Sequence, residues 1–169
     1  GAAANAIYGR FVASFPGRRF PTPEQVAAAP DELLRKAGLS ARKALYIKDL
    51  AAHVRGKAIS FHRFPKMEDE EIVSHLTRVK GIGRWTAEIF LMFNLGRPDV
   101  LPMDDLGVRN AIMKVYGLRK PPDRKQMIAL GERWRPYRSV AAWYLWQSHN
   151  IILPDGDAKK TSRAKKKAH

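Results

Sequence analysis

Apolar residues recur at helical spacing along most of this chain. Ile72, Val73, Leu76 and Val79 fit one face of a helix, and Trp85, Ile89, Met92 and Phe93 fit a second. Between them, Lys80-Gly81-Ile82-Gly83 is too short for anything but a tight hairpin. Gly81 and Gly83 let the backbone adopt positive φ, or approach a partner without a Cβ in the way. The second helix opens at Arg84, so its free N–H groups sit beside the glycines, an arrangement that can hold a phosphate oxygen.

The flanking pattern is also helical. Ala2 to Phe15 carries Ile7, Phe11 and Phe15 at helical spacing and is stopped by Pro16-Gly17. Thr22-Pro23-Glu24-Gln25 is a capping box with proline at the first helical position, opening a short helix to Ala29. Pro30 to Ala37 forms another, closed by Gly38, and Ser40 caps a long helix from Ala41 to Arg55. Gly56 to Pro65 reads as a loop in which Phe61 and Phe64 are core plugs. Acidic Glu68 to Glu71 suit a helix start. After Gly96, Val100-Leu101-Pro102 is extended, and Asp104-Asp105 begin a helix through Val108, Ile112 and Val115. Another helix runs from Pro121-Pro122-Asp123 to Trp134. The last runs from Tyr137 to Asn150, apolar on more than one face and so expected to lie deep. There is no strand pattern and no internal repeat. The expectation is an all-α domain of about eight to ten short-linked helices, without a sheet, over residues 1–154. Residues 155–169 read as a basic, disordered tail.

Charge narrows the partner. The 169 residues carry a net +15, and residues 1–157, without the lysine run, still carry +9. That bias favours a polyanion, nucleic acid first. No apolar run approaches the roughly 20 residues a membrane span needs. The absence of cysteine removes disulfides and thiolate metal sites, and is compatible with a reducing cytoplasm. The five histidines are scattered, without catalytic metal spacing.

The two helices around Lys80–Gly83 have the layout of a helix-hairpin-helix. V-K-G-I-G-R-W-T-A, followed by L-P-M-D-D-L-G-V and a late R-W-R-P-Y-R-S run, resembles the helix-hairpin-helix (HhH-GPD) DNA glycosylase superfamily. The similarity is to its 3-methyladenine DNA glycosylase II branch and covers roughly Ala4 to Asn150. In that family the hairpin grips DNA and an aspartate after the second helix is catalytic. Asp105 lies 24 positions after Gly81, which suits the pattern. The resemblance implies a base-excision repair enzyme acting on double-stranded DNA with a damaged base. It would work as a monomer without a cofactor, in the cytoplasm near the nucleoid, or in the nucleus of a eukaryote.

The chemistry asks for few groups. Breaking the N-glycosidic bond of an alkylated purine builds oxocarbenium character on the sugar. A fixed negative charge, able also to orient or deprotonate water, meets that need. Asp105 is the candidate; by residue chemistry alone, Asp104 or Asp105 reads first as a helix cap, and the resemblance reverses that order. The family aspartate often stands two residues after proline, where Asp104 stands here, but the D-x-x-V-R pattern selects Asp105 and leaves Asp104 a supporting cap or acceptor. Lyase-competent branches place a lysine two positions after the second hairpin glycine. Here that position is Trp85, so the resemblance implies a monofunctional glycosylase; Trp85 reads either as a pocket wall or as core. Trp146 matches the tryptophan that stacks on the flipped base in this branch, with a core role as the alternative, and Ile89 stands where the family can have an aromatic. The resemblance further implies phosphate contacts at Lys80, Gly81, Gly83, Arg84 and Thr86, and at Arg138 and Ser139, which read alternatively as caps of the last helix. It also implies a positioning Na⁺ or K⁺ held by the carbonyls of Thr77, Val79 and Ile82 when DNA is bound. The helix that supplies the DNA wedge in related proteins would lie upstream of the first residue of this sequence, so no wedge residue is assigned. Two other readings share these residues: a non-catalytic helix-hairpin-helix DNA-binding module, and a glycosylase for uracil or hypoxanthine.

Overall fold

Nine α-helices and two single 3₁₀ turns make up the regular structure of residues 2–148, which the computed structural model describes; no strand occurs among them. The basic tail, and the His149-Asn150 end expected of the last helix, lie outside the described residues. The chain divides into two compact units, the first ending at Val100 and the second starting at Leu101.

In the first unit, polar caps and apolar stripes agree. It contains α1 (Ala2–Ala13), α2 (Pro23–Ala28), α3 (Asp31–Lys36), α4 (Ala41–Arg55), α5 (Asp69–Leu76) and α6 (Arg84–Phe93). The Thr22 hydroxyl accepts the Gln25 N–H at 3.3 Å while the Gln25 side chain accepts the Thr22 N–H at 2.9 Å, closing the expected capping box. Ser40 caps α4 through the Lys43 N–H. Phe11, Phe15, Val26 and Leu34 form a core with Ala44 and Ala51 of α4, against which α2 and α3 pack. Phe64 is the plug expected of its loop, but Phe61 is 42% exposed and only leans on Phe64 and Phe90 with one edge of its ring. Phe61 instead helps to line an apolar hollow of the first unit.

Helix α5 buries Ile72, Val73, Leu76 and the following Val79, the stripe its spacing predicts. Ile72 has no exposed surface, so Ile72→Ala should cost about 2–5 kcal/mol through lost transfer energy and a residual cavity. Urea titration would read this as a lowered midpoint with an unchanged slope.

Helix α6 departs from its expected face. It buries Ala87, Glu88, Leu91 and Met92, while Trp85 and Phe93 are 48% and 57% exposed. Arg84 and Glu88 lie on the buried side, so the polarity pattern points the helix the other way. Glu88 can sit inside because the Arg84 Nε donates to it at 2.9 Å.

The second unit holds α7 (Leu106–Val115), α8 (Arg124–Glu132) and α9 (Arg138–Ser148). Asp123 and Gln126 form a reciprocal capping box at the start of α8. Val108, Ala111 and Ile112 of α7 are fully buried, and α9 packs on α7. The inward face of α9 is Ser139, Ala142 and Leu145; Val140, Trp143 and Tyr144 are exposed. The helix therefore lies less deep than its composition suggested. Of the large residues that suggested depth, Leu145 is buried, while Val140 and Trp143 are not.

Candidate active site

Asp105 is placed by the turn that precedes α7. Pro102 accepts the Asp105 N–H through its carbonyl at 3.1 Å, turning the chain into the helix. Asp105 is the N-cap residue with extended backbone, and its Oδ1 accepts the Val108 N–H at 2.7 Å. Helix α9 then brings Trp146 across 41 residues of sequence, and the indole Nε1 donates to the same Oδ1 at 2.9 Å. Asp105 is only 7% exposed. Capping and catalysis, opposed in the sequence, are thus compatible in one side chain: two donors fix the rotation of a buried carboxylate.

Gly107 makes that meeting possible. A Cβ there would lie 3.0 Å from the Asp105 Oδ1 and 3.1 and 3.2 Å from the Trp146 Cδ1 and Nε1. A glycine in the first turn of a helix costs stability, and here the missing methyl is the space the indole uses. Arg109, the last residue of the D-x-x-V-R pattern, ties α7 to the next loop by donating from Nε to the Pro122 carbonyl at 3.0 Å. Asp104, expected as a supporting cap, is exposed while Asp105 does the capping. The helix begins one residue later than that expectation required.

The hairpin lies in the first unit. Gly81 adopts φ +82°, and Gly83 is the extended N-cap of α6 with nothing within 4 Å of where a Cβ would stand. The Ile82 N–H donates to the Val79 carbonyl at 3.1 Å and the Lys80 N–H to the Asp49 Oδ2 at 2.8 Å. Lys80, Gly81, Gly83 and Thr86 are all exposed. Trp85 is on the surface of α6, which removes the core alternative, and Ile89 is half-buried. Arg138 is half-buried at the start of α9, and Ser139 is buried in the first turn of the same helix.

Arg84 is also not presented as an open fork. Glu70 of α5 takes both of its terminal nitrogens and Glu88 takes Nε. The hydrogen bond from Arg84 holds the Glu70 carboxyl below the usual carboxylate range, and the same bond raises Arg84. The pair's contribution to stability is therefore present above about pH 4.3 and fades as pH falls through the lowered native value of Glu70. It is small, because Glu70 is largely exposed. Glu70→Gln should loosen the fork and remove a negative charge near the hairpin. The expected result is tighter binding to undamaged duplex, with a slope of log affinity against log salt steeper by about one. Fluorescence anisotropy across a salt series measures it.

No cluster of three or more His, Cys, Asp or Glu able to hold a metal occurs among the described residues. A separate apolar hollow of about 630 Å³ in the first unit, lined by Ile7, Phe11, Phe20, Val26 and Ile47 among others, contains no carboxylate and none of the expected site residues. Three residues that shape the site went unnoticed in the sequence: Gly107, Asp49 and Tyr46. A glycine in a helical first turn was a signal for the first. Nothing local marks the other two.

Comparison with known proteins supports the same assignment. DNA-3-methyladenine glycosylase 1 of Schizosaccharomyces pombe is 39% identical over 165 residues, covering 97% of this chain and 71% of that protein. A solved S. pombe 3-methyladenine DNA glycosylase in complex with abasic DNA superposes with a TM-score of 0.82 at 38% identity, over 90% of this chain and 74% of that one. A DNA-3-methyladenine glycosidase from Bacillus halodurans gives a TM-score of 0.77 at 41% identity, over 87% and 67%. Residues 1–136 match the model of the HhH-GPD superfamily base excision DNA repair proteins, and the chain belongs to that family.

Proposed function

We propose that this chain is a monofunctional DNA glycosylase: it binds double-stranded DNA, extrudes an alkylated base of the 3-methyladenine or 7-methylguanine class, and hydrolyses its N-glycosidic bond to leave an abasic site. The observation that carries this reading is Asp105, buried, oriented by Val108 and Trp146, and unneeded by a protein that only grips a duplex. Its relatives carry the name DNA-3-methyladenine glycosylase, and one of them is solved on abasic DNA, the product such a reaction leaves.

In this reading alkylation makes the base cationic and a good leaving group. The bond breaks with its electron pair going to the base, and positive charge develops on the sugar. The Asp105 carboxylate stabilises that charge and takes the proton of the attacking water. The Trp146 ring lies beside the carboxylate and flanks the extruded base. No lysine amine stands at Trp85, so no covalent imine with the sugar forms through that position and the strand stays intact. Lys80, Gly81, Gly83, Thr86 and Arg138 contact phosphates, which positions the duplex without reading its sequence. The Thr77, Val79 and Ile82 carbonyls would hold a sodium or potassium ion. They lie at the C-terminal end of α5 and in the hairpin, where backbone oxygens fit a hard cation, and the ion would supply positive charge for a phosphate.

An oligonucleotide duplex with one methylated base tests this directly, with and without hot alkali. Strand cleavage only after alkali is expected. Cleavage without alkali would overturn the monofunctional assignment, and no excision would overturn the enzyme.

A further inference from the structure

We propose that α4 sets the shape of the hairpin, with Asp49 and Tyr46 acting as positioning residues for the DNA grip; the inference rests on the reading that the hairpin meets a phosphate. Four residues containing two glycines have little conformational preference of their own. Something outside the turn must hold it in one shape before DNA arrives, or binding has to supply the ordering.

Two contacts from one helix do this. The Asp49 Oδ2 accepts the Lys80 N–H at 2.8 Å, across 31 residues of sequence. One turn earlier on α4, Tyr46 lies over Gly81: a Cβ on that glycine would stand 2.1 Å from the ring Cδ2 and 2.4 Å from Cγ and Cε2. Gly81 is therefore a glycine for two reasons, its φ of +82° and the ring above it. The ring blocks one side of the turn and the carboxylate fixes the amide of the preceding residue. With the Lys80 and Ile82 amides both engaged, the turn has a defined outward side.

The charge of Asp49 sharpens the argument. Its side chain is 19% exposed and lies 3.5 Å from the His53 Nδ1. A carboxylate beside a phosphate-binding turn repels DNA, so electrostatics alone disfavours it there. Its hydrogen bond to Lys80 compensates for that repulsion. The bond needs an acceptor oxygen, not a charge.

The charge and the hydrogen bond therefore predict opposite signs. Asp49→Asn keeps an acceptor and loses the charge; it should bind duplex as tightly as the wild type or more so. Asp49→Ala loses both, and should raise KM and the dissociation constant for undamaged duplex about tenfold with kcat within about twofold. Tyr46→Phe should behave as wild type and Tyr46→Ala as Asp49→Ala. Hydrogen exchange at the Lys80 amide gives an independent reading, with faster exchange in Asp49→Ala and retained protection in Asp49→Asn. Equal or stronger binding by Asp49→Ala, or unchanged Lys80 exchange in it, would overturn the proposal. If the wild-type chain fails to bind duplex, the functional reading falls by itself, and the exchange result still decides whether α4 holds the turn.

Discussion

Asp105→Asn should lower the single-turnover rate of methylated-base excision by at least about a hundredfold, while leaving the fold in place. The substitution suits the geometry. Asparagine keeps an oxygen that can accept from the Val108 N–H and the Trp146 Nε1, so the α7 cap and the α9 contact both survive. What disappears is the negative charge and the capacity to take a proton from water. Alanine would be a poorer probe. It removes the cap as well, at a cost of about 1 kcal/mol, and blends stability with chemistry. The check is the rate at saturating enzyme, read beside the thermal midpoint of each variant. A lost rate with an unchanged midpoint supports the carboxylate's role. An unaltered rate would leave Asp105 as a cap only and would place the chemistry on another group.

Much of this site was legible before the structure because its signals are local. Caps announce themselves by residue type at fixed offsets, and Thr22–Gln25 and Ser40 behave as written. The hairpin glycines and the α5 stripe are equally local, and Asp105 follows from the motif. The illegible parts depend on partners distant in the chain. Arg84 looked like a phosphate ligand because nothing nearby says that Glu70, fourteen residues earlier, will occupy its fork. Trp85 could not be placed because the inward face of α6 carries Glu88, which a polarity pattern puts outside. Whether it was core or surface was decided by the burial of Ala87 and Leu91 instead. In α9 the large residues suggested depth, but Leu145 is buried while Val140 and Trp143 are exposed. Asp49 and Tyr46 are ordinary residues of an amphipathic helix until the hairpin is folded against them. Composition and periodicity describe a segment's own preferences. They do not rank its competing partners.

Trp146→Phe should lower kcat about tenfold with little change in KM, and this separates two roles the indole could have. If Trp146 served only as a flat wall for an extruded base, phenylalanine would keep most of that surface and the rate would hardly move. The indole N–H makes a different demand: it is one of two donors on the Asp105 Oδ1, and phenylalanine has none. Removing it takes away one hold on the carboxylate's orientation, and misorientation appears in kcat rather than in binding. Gly107→Ala reaches the same contact from another side. Its methyl would press on Oδ1 at 3.0 Å and on the indole at 3.1 and 3.2 Å, so the pair must give by a few tenths of an ångström. If both variants act by disturbing one Asp105–Trp146 contact, their effects should not add: the double variant should be little slower than Trp146→Phe alone. Trp143→Phe is the control, an exposed tryptophan one turn away on the same helix, expected to leave the rate unchanged. Strict additivity, or an unchanged kcat in Trp146→Phe, would return Trp146 to the part of a passive wall and place the orientation of Asp105 on its cap alone.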